Sequence, residues 1–240
     1  MKRNSKRLVA ALLSAGLCAG ALSGCGAEST TTAEAGTEAQ PETEQEVTRT
    51  TEEPAEAEEE WSDVFVEPVA GISDDFIRGM DASAVLSVEK SGAKYYGYDG
   101  KKQDVFETLA ESGVNYIRLR VWNDPYDENG NGYGGGDNDV ATAIELGKRA
   151  TQYGMKVNID FHYSDFWADP KRQHAPKAWE GMSADEKADA LYDFTKESLT
   201  QILDAGVDVG MVQVGNEINN GMSGETDVPA VMGLLSAGRR

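Results

Sequence analysis

Three times between residues 76 and 215 the chain repeats one unit: a helical stretch, a terminating glycine, then a short apolar strand. The repeat predicts an α/β fold of parallel βα units, because helices of this length between strands supply parallel crossovers. Two further observations separate a barrel from a doubly wound sheet. No glycine-rich phosphate loop follows the first strand, and polar residues gather at the C-terminal ends of all four predicted strands, where barrels carry their functional groups. The prediction is a (β/α)8 TIM barrel truncated to about its first four βα units. An intact barrel takes ~250 residues, more than lie between Phe76 and Arg240.

The strands are expected near residues 76–81, 114–121, 155–161 and 208–215. The junctions Ser112-Gly113-Val114, Tyr153-Gly154-Met155 and Ala205-Gly206-Val207 place glycine where a helix ends in a left-handed residue. The helices before them show apolar faces: Val105, Phe106 and Leu109; then Val140, Ile144 and Tyr153; then Leu191, Phe194, Leu199 and Leu203. Ser183 with Glu186 forms a capping box for the third. A fourth helix is expected to start near Asp227.

Ahead of this body, Lys2, Arg3, Lys6 and Arg7 precede an apolar run from Leu8 to Leu22. The run falls short of the ~20 residues of a membrane span and reads as a signal peptide, residues 1–24. Leu22-Ser23-Gly24-Cys25 resembles a bacterial lipobox, so Cys25 is the expected lipidation site and the protein is expected to be exported and lipid-anchored on the cell surface. The only other cysteine, Cys18, lies in the segment to be removed, which leaves no disulfide, thiolate metal site or cysteine nucleophile.

Residues 25–60 are rich in Thr, Glu, Ala and Gln and have little to bury, the composition of a disordered tether. Residues 61–240 then form the barrel portion. The net charge of -20 includes -12 from residues 27–63 alone. Such an acidic chain offers no basic stripe for nucleic acid.

Strand alternation sorts the chemistry. In the second strand Tyr116, Arg118, Arg120 and Trp122 share one face, and Ile117, Leu119 and Val121 the other. In the third, Asn158, Asp160 and His162 face inward while Val157, Ile159 and Phe161 face the helices. The fourth ends in Gly215-Asn216-Glu217. Arginine, histidine and glutamate thus converge on one mouth, and burying such groups unpaired costs several kcal/mol each. Glycoside hydrolysis requires two carboxylates across the scissile bond. Glu217 has the position for the acid, and Asn216 can bond a sugar hydroxyl.

The segments RLRVWNDPYDENGNGYGGG (118–136), DFHYSDFWADP (160–170), QHAPKAW (173–179) and MVQVGNEINNGM (211–222) resemble the endo-β-1,4-galactanases of glycoside hydrolase family 53. FIRGMDASAVLSVEKSGAKYY (76–96) resembles that family's first strand and loop. The resemblance implies a retaining endo-hydrolase of β-1,4-galactan with Glu217 as acid/base and Asn216 beside it. It implies that Arg120, better matched than Arg118, supports the nucleophile, and that His162 is the inward histidine of strand three. Trp122 and Trp167 match sugar-stacking positions, and Asp81 and Asp165 complete the expected substrate-binding set. No cofactor is implied. The nucleophile glutamate belongs to strand seven, so residues 1–240 alone are expected to be inactive.

The loop Asp127-Glu128-Asn129-Gly130-Asn131-Gly132 matches the opening of a calcium loop, but Asn138 replaces its closing glutamate and no helix precedes it. It reads as a flexible βα loop, and no metal is expected among these residues. Calcium in bacterial relatives belongs to loops of the other barrel half. Two alternatives remain: a related hydrolase of another β-1,4-polysaccharide such as xylan, mannan or a β-glucan, and a lipid-anchored oligosaccharide-binding protein.

Acylation of Cys25 is directly testable. Cys25→Ala is expected to move the protein from the membrane to the soluble fraction, and detergent-phase partitioning unaffected by the substitution would refute the anchor.

Overall fold

The structure, a computed structural model, describes residue 67, residues 69–73 and residues 75–240. The predicted signal peptide, Cys25 and the acidic tether lie outside the described residues. Four parallel strands form one sheet in chain order: β1 (Gly79–Asp81), β2 (Tyr116–Val121), β3 (Lys156–Phe161) and β4 (Val209–Val214). Helices α1 (Val85–Lys90) and α2 (Val105–Glu111) separate β1 from β2. Helix α3 (Val140–Gln152) connects β2 to β3, α4 (Ala184–Asp204) connects β3 to β4, and α5 (Val228–Gly238) follows β4. This is the architecture of the first four units of a (β/α)8 barrel.

Local signals set most boundaries. The three junction residues Gly113, Gly154 and Gly206 have φ of 84°, 75° and 85°, the left-handed turn that releases each helix into its strand. The side chains of Asp104, Asp139 and Asp227 accept backbone N–H bonds at the N-termini of α2, α3 and α5. Ser183 and Glu186 form both halves of the capping box on α4. Helix α1 was not among the expected elements. It is a six-residue turn with one buried residue, Val85, and no side-chain cap, too short for a periodic signal.

The alternation predicted for β2 and β3 holds. Ile117, Leu119 and Val121 on one strand, and Val157, Ile159 and Phe161 on the other, are fully buried. They join a core that includes Phe106, Ala143, Leu146, Ala150, Leu191 and Ile202. Helix α3 lies close to the start of β4, since a Cβ on Gly147 would meet Val207 at 2.7 Å. The face expected for α4 is partly corrected. Leu191 is buried and Phe194 and Leu199 pack against the core, but Ile202 is the deep residue while Leu203 is exposed. A turn of 3.6 residues places 191, 195, 198 and 202 on one line, with Thr195 and Ser198 filling the middle.

The outer strands are less regular. β1 is three residues long rather than six, and Ile77 and Met80 are exposed. In β4 the register with β3 slips at Gly210, so that Val157 pairs with Val209 but Asn158 with Met211. The slip is a bulge that admits the Tyr116 side chain of β2, which occupies the space where a Cβ on residue 210 would stand. Ile159 sits at the centre of the buried sheet face. Ile159→Ala is expected to cost about 2–5 kcal/mol, read as a lowered denaturation midpoint at unchanged slope, whereas Ser183→Ala should cost only about 1 kcal/mol.

Candidate active site

On the opposite face of the sheet, side chains from all four strands meet around Arg118. Its guanidinium donates to Asp81 Oδ2 on β1 at 2.5 Å, to Asp160 Oδ2 on β3 at 2.5 Å and to Asn216 Oδ1 just beyond β4 at 2.8 Å. Asp160 is fully buried, and its second oxygen has no partner among the described residues. Paired strand residues place Asp81 opposite Arg118, and Arg120, Asp160 and Gln213 in one row. Arg118 thus reaches diagonally from one row to the next.

His162 is fully buried. Its Nδ1 accepts the Ala168 N–H at 3.0 Å, so the ring proton of the neutral imidazole sits on Nε2 and is donated to Asp160 Oδ2 at 3.1 Å. Both nitrogens are committed, so His162 joins Asp160 to the loop after β3. Trp122 is enclosed in the same way. It is fully buried beneath Phe166 and Trp167, with ring centroids 5.0 and 5.9 Å away, and presents no face for a sugar. Trp167 is half-buried. The Arg120 guanidinium lies 4.2 Å from its ring centroid, a cation–π contact that fixes the indole.

Arg120 is itself nearly buried, and burial pulls its pKa down while Asp81, 3.6 Å away, pulls it up. Arg118, rather than Arg120, is the arginine that reaches Asn216 beyond β4. Asp165 lies between two loops. Its two oxygens accept the backbone N–H groups of Asp124 and Lys177 at 3.0 and 2.7 Å. It therefore ties the loops after β2 and β3 together, and burial holds its pKa above the ordinary value.

Asn216 is buried and almost fully engaged. Its Oδ1 also accepts from Gln213 Nε2 at 3.2 Å, and its Nδ2 donates to Ala168 O at 2.8 Å. One Nδ2 hydrogen remains for a ligand. Glu217 next to it is exposed and left-handed, with φ 48° and ψ 44°. Among the described residues Asp137, Tyr163 and Ser223 are the other non-glycine residues at positive φ, and all lie in loops beyond β2, β3 or β4. Each such conformation costs of order 1–3 kcal/mol and persists only where its surroundings enforce it. The strain therefore collects on the rim where Glu217 stands. Alternation placed Arg118 and Asp160 on this face, but their bonding was not legible; Gln173 opens the segment QHAPKAW, yet nothing local to it showed that it donates to the Asn216 and Glu217 carbonyls.

Among the described residues no three His, Cys, Asp or Glu side chains gather to hold a metal. In the calcium-like loop, Asp127 accepts from the Asn129 and Asn131 N–H groups and from Asn131 Nδ2, so its carboxylate serves the loop itself.

A half-barrel whose C-terminal rim presents one free glutamate beside an immobilised asparagine is a scaffold of the kind on which barrel glycosidases are built. The chain belongs to glycosyl hydrolase family 53, whose family model matches residues 77–240. It is 56% identical over 178 residues to an endo-β-1,4-galactanase of Bacillus subtilis, a match that covers 74% of this chain and 42% of that protein. An arabinogalactan endo-β-1,4-galactanase of Humicola insolens is 38% identical over 145 residues, covering 60% of this chain and 41% of the relative. Among solved structures, the Ignisphaera aggregans GH53 catalytic domain superposes with a TM-score of 0.70 at 44% identity, covering 73% of this chain and 50% of that one. A fungal β-1,4-galactanase gives a TM-score of 0.61 at 35% identity, covering 68% and 48%. The chain thus spans about half the length of the relatives it matches.

The charge on Asp81 makes the rim sensitive to acid. Burial raises its pKa, but hydrogen bonds from Ser83, the charge of Arg120 and a hydrogen bond from Arg118 outweigh it, so the value lies below the ordinary 3.8. The unfolded chain therefore takes up this proton at a higher pH than the folded one. The ionised group contributes its full stability above the unfolded value and loses it as pH falls through the folded value. Asp81→Asn is expected to cost up to about 1 kcal/mol near neutral pH, as a partly exposed pair does, and to converge on wild type in the acid limb of denaturant titrations. A gap unchanged from neutral pH to below the Asp81 pKa would show that its charge is not the stabilising feature.

Proposed function

We propose that the whole protein cleaves β-1,4-galactan internally, by a retaining double displacement in which Glu217 is the general acid and then the general base. The observation that carries the reading is Glu217 itself, an exposed carboxylate held left-handed at the end of β4 beside the fixed Asn216. The galactanase relatives supply the substrate class. In the first step Glu217 gives its proton to the glycosidic oxygen as the bond from C1 breaks, and a second carboxylate bonds to C1. In the second step water attacks C1, gives its proton to Glu217 and frees that carboxylate. The second group must stand ~5–5.5 Å from the first. The resemblance implies that it belongs to a seventh strand, beyond the four described here.

The remaining Nδ2 hydrogen of Asn216 is suited to a hydroxyl next to the reacting carbon. Trp167, immobilised by Arg120 on one side, offers its uncovered surface to the apolar face of a galactose ring. Asp81 acts through the two arginines rather than on the sugar. The chemistry needs proton transfer and a carboxylate nucleophile, and no cofactor. We also retain the domain reading: signal peptide 1–24, acidic tether 25–60 and barrel portion 61–240, with Cys25 lipidated so that the enzyme meets polysaccharide outside the cell.

In the full-length enzyme Glu217→Gln is expected to slow galactan cleavage by about 10²–10⁴-fold while the fold is kept. Aryl galactosides with good leaving groups, which need no proton, should retain fast glycosylation. Equal loss on both substrates would count against the acid role.

A further inference from the structure

Gln173, in the loop between β3 and α4, takes no part in the proton transfers above. Its Nε2 lies 2.8 Å from the carbonyl oxygen of Asn216, 3.3 Å from that of Glu217 and 3.2 Å from that of Asp169. The first two carbonyls flank the Glu217 Cα. Holding both restrains the φ and ψ of that residue, which are 48° and 44°. A glutamate relaxing to the right-handed region would turn one of these carbonyls away and carry its carboxyl group off the rim.

The amide orientation is forced, because a flipped Gln173 would set Oε1 against these carbonyl oxygens. In the orientation present, Oε1 is buried without a partner among the described residues, an arrangement that costs stability. A side chain serving stability alone would fare as well without its polar end. The same two loops are also joined at Asn216 Nδ2 to Ala168 O (2.8 Å), at Asn220 Nδ2 to Pro170 O (2.9 Å) and from Gly224 N to Gln173 O. Those bonds hold the loops in place, so the Gln173 side chain is free for a different task.

We propose that Gln173 is a positioning residue that locks Glu217 in its left-handed conformation, an inference that rests on Glu217 being the acid/base. The test is a double-mutant cycle in the full-length enzyme with Gln173→Met, which keeps the length of the side chain and removes its donors. Q173M alone is expected to lower kcat on galactan about 100-fold, the loss typical of a misplaced reacting group. KM should stay within about threefold, because only a transition-state contact is lost. On a Glu217→Gln background the same substitution should change the rate by less than about twofold, since both variants disable one device. Aryl galactosides with good leaving groups should be spared by Q173M, as they are by E217Q.

An equal loss on both backgrounds would overturn the positioning role and leave Glu217 as the acid. Wild-type rates for E217Q would instead remove the acid reading and this inference with it. If Q173M does not fold, Gln173→Glu carries the same cycle, because it keeps the shape and replaces Nε2 by an oxygen. Failure of both variants to fold would assign Gln173 a structural role and overturn the proposal.

Discussion

The guanidinium of Arg118 is the point on which the inner face of this sheet depends. It alone bonds a carboxylate of β1, a carboxylate of β3 and the amide beyond β4. Asp160 is the costly member, a fully buried carboxylate with one unpartnered oxygen. Desolvating such a group is repaid only by an ion pair and added hydrogen bonds, and Arg118 and His162 provide them. The register of three strands is bound up in that exchange. A slip of one residue would turn Arg118 or Asp160 into the apolar layer held by Leu119 and Ile159.

From this centre the order spreads to the rim through loops rather than strands. His162 takes the proton-donor role toward Asp160 and uses its other nitrogen to seat Ala168, whose carbonyl in turn holds Asn216. Trp122 fills the space beneath Trp167, and Gly135 belongs there because a Cβ would stand 3.2 Å from both indoles. Asp165 closes the ring by bonding the loop after β2 and the turn at Lys177. Glu217 is therefore exposed yet not loose. Its own carbonyl and that of Asn216 accept from Gln173 in the loop after β3, and its backbone stays in a conformation it would otherwise leave.

The two outer strands have the opposite character. β1 pairs only with β2 and β4 only with β3 among the described residues, and Met80, Met211 and Val212 are exposed along them. A closed barrel leaves no strand edge unpaired, and the relatives matched here are about twice as long as the matched region.

The sequence by itself determined the parallel βα order, the helix ends and the buried face of the inner strands. These follow from short-range rules: a two-residue alternation, a capping side chain, a glycine free to turn left-handed. Ile117, Leu119, Val157 and Ile159 obeyed them because β2 and β3 are flanked on both edges, whereas β4 bulges where the Tyr116 side chain enters. Leu203 misled because two adjacent leucine-like positions on a helix differ by a 100° rotation that composition does not reveal. The sequence also marked Asn216 and Glu217 at a strand end. Only the tertiary structure decided what the polar residues do there. Arg118 and Arg120 share one face, and their different reach depends on strand stagger. His162 and Trp122 look available in the sequence and are sealed by a loop that folds over them. Gln173 touches the backbone of Glu217 across a gap of 44 residues, a contact set by the meeting of two loops and by nothing local to either.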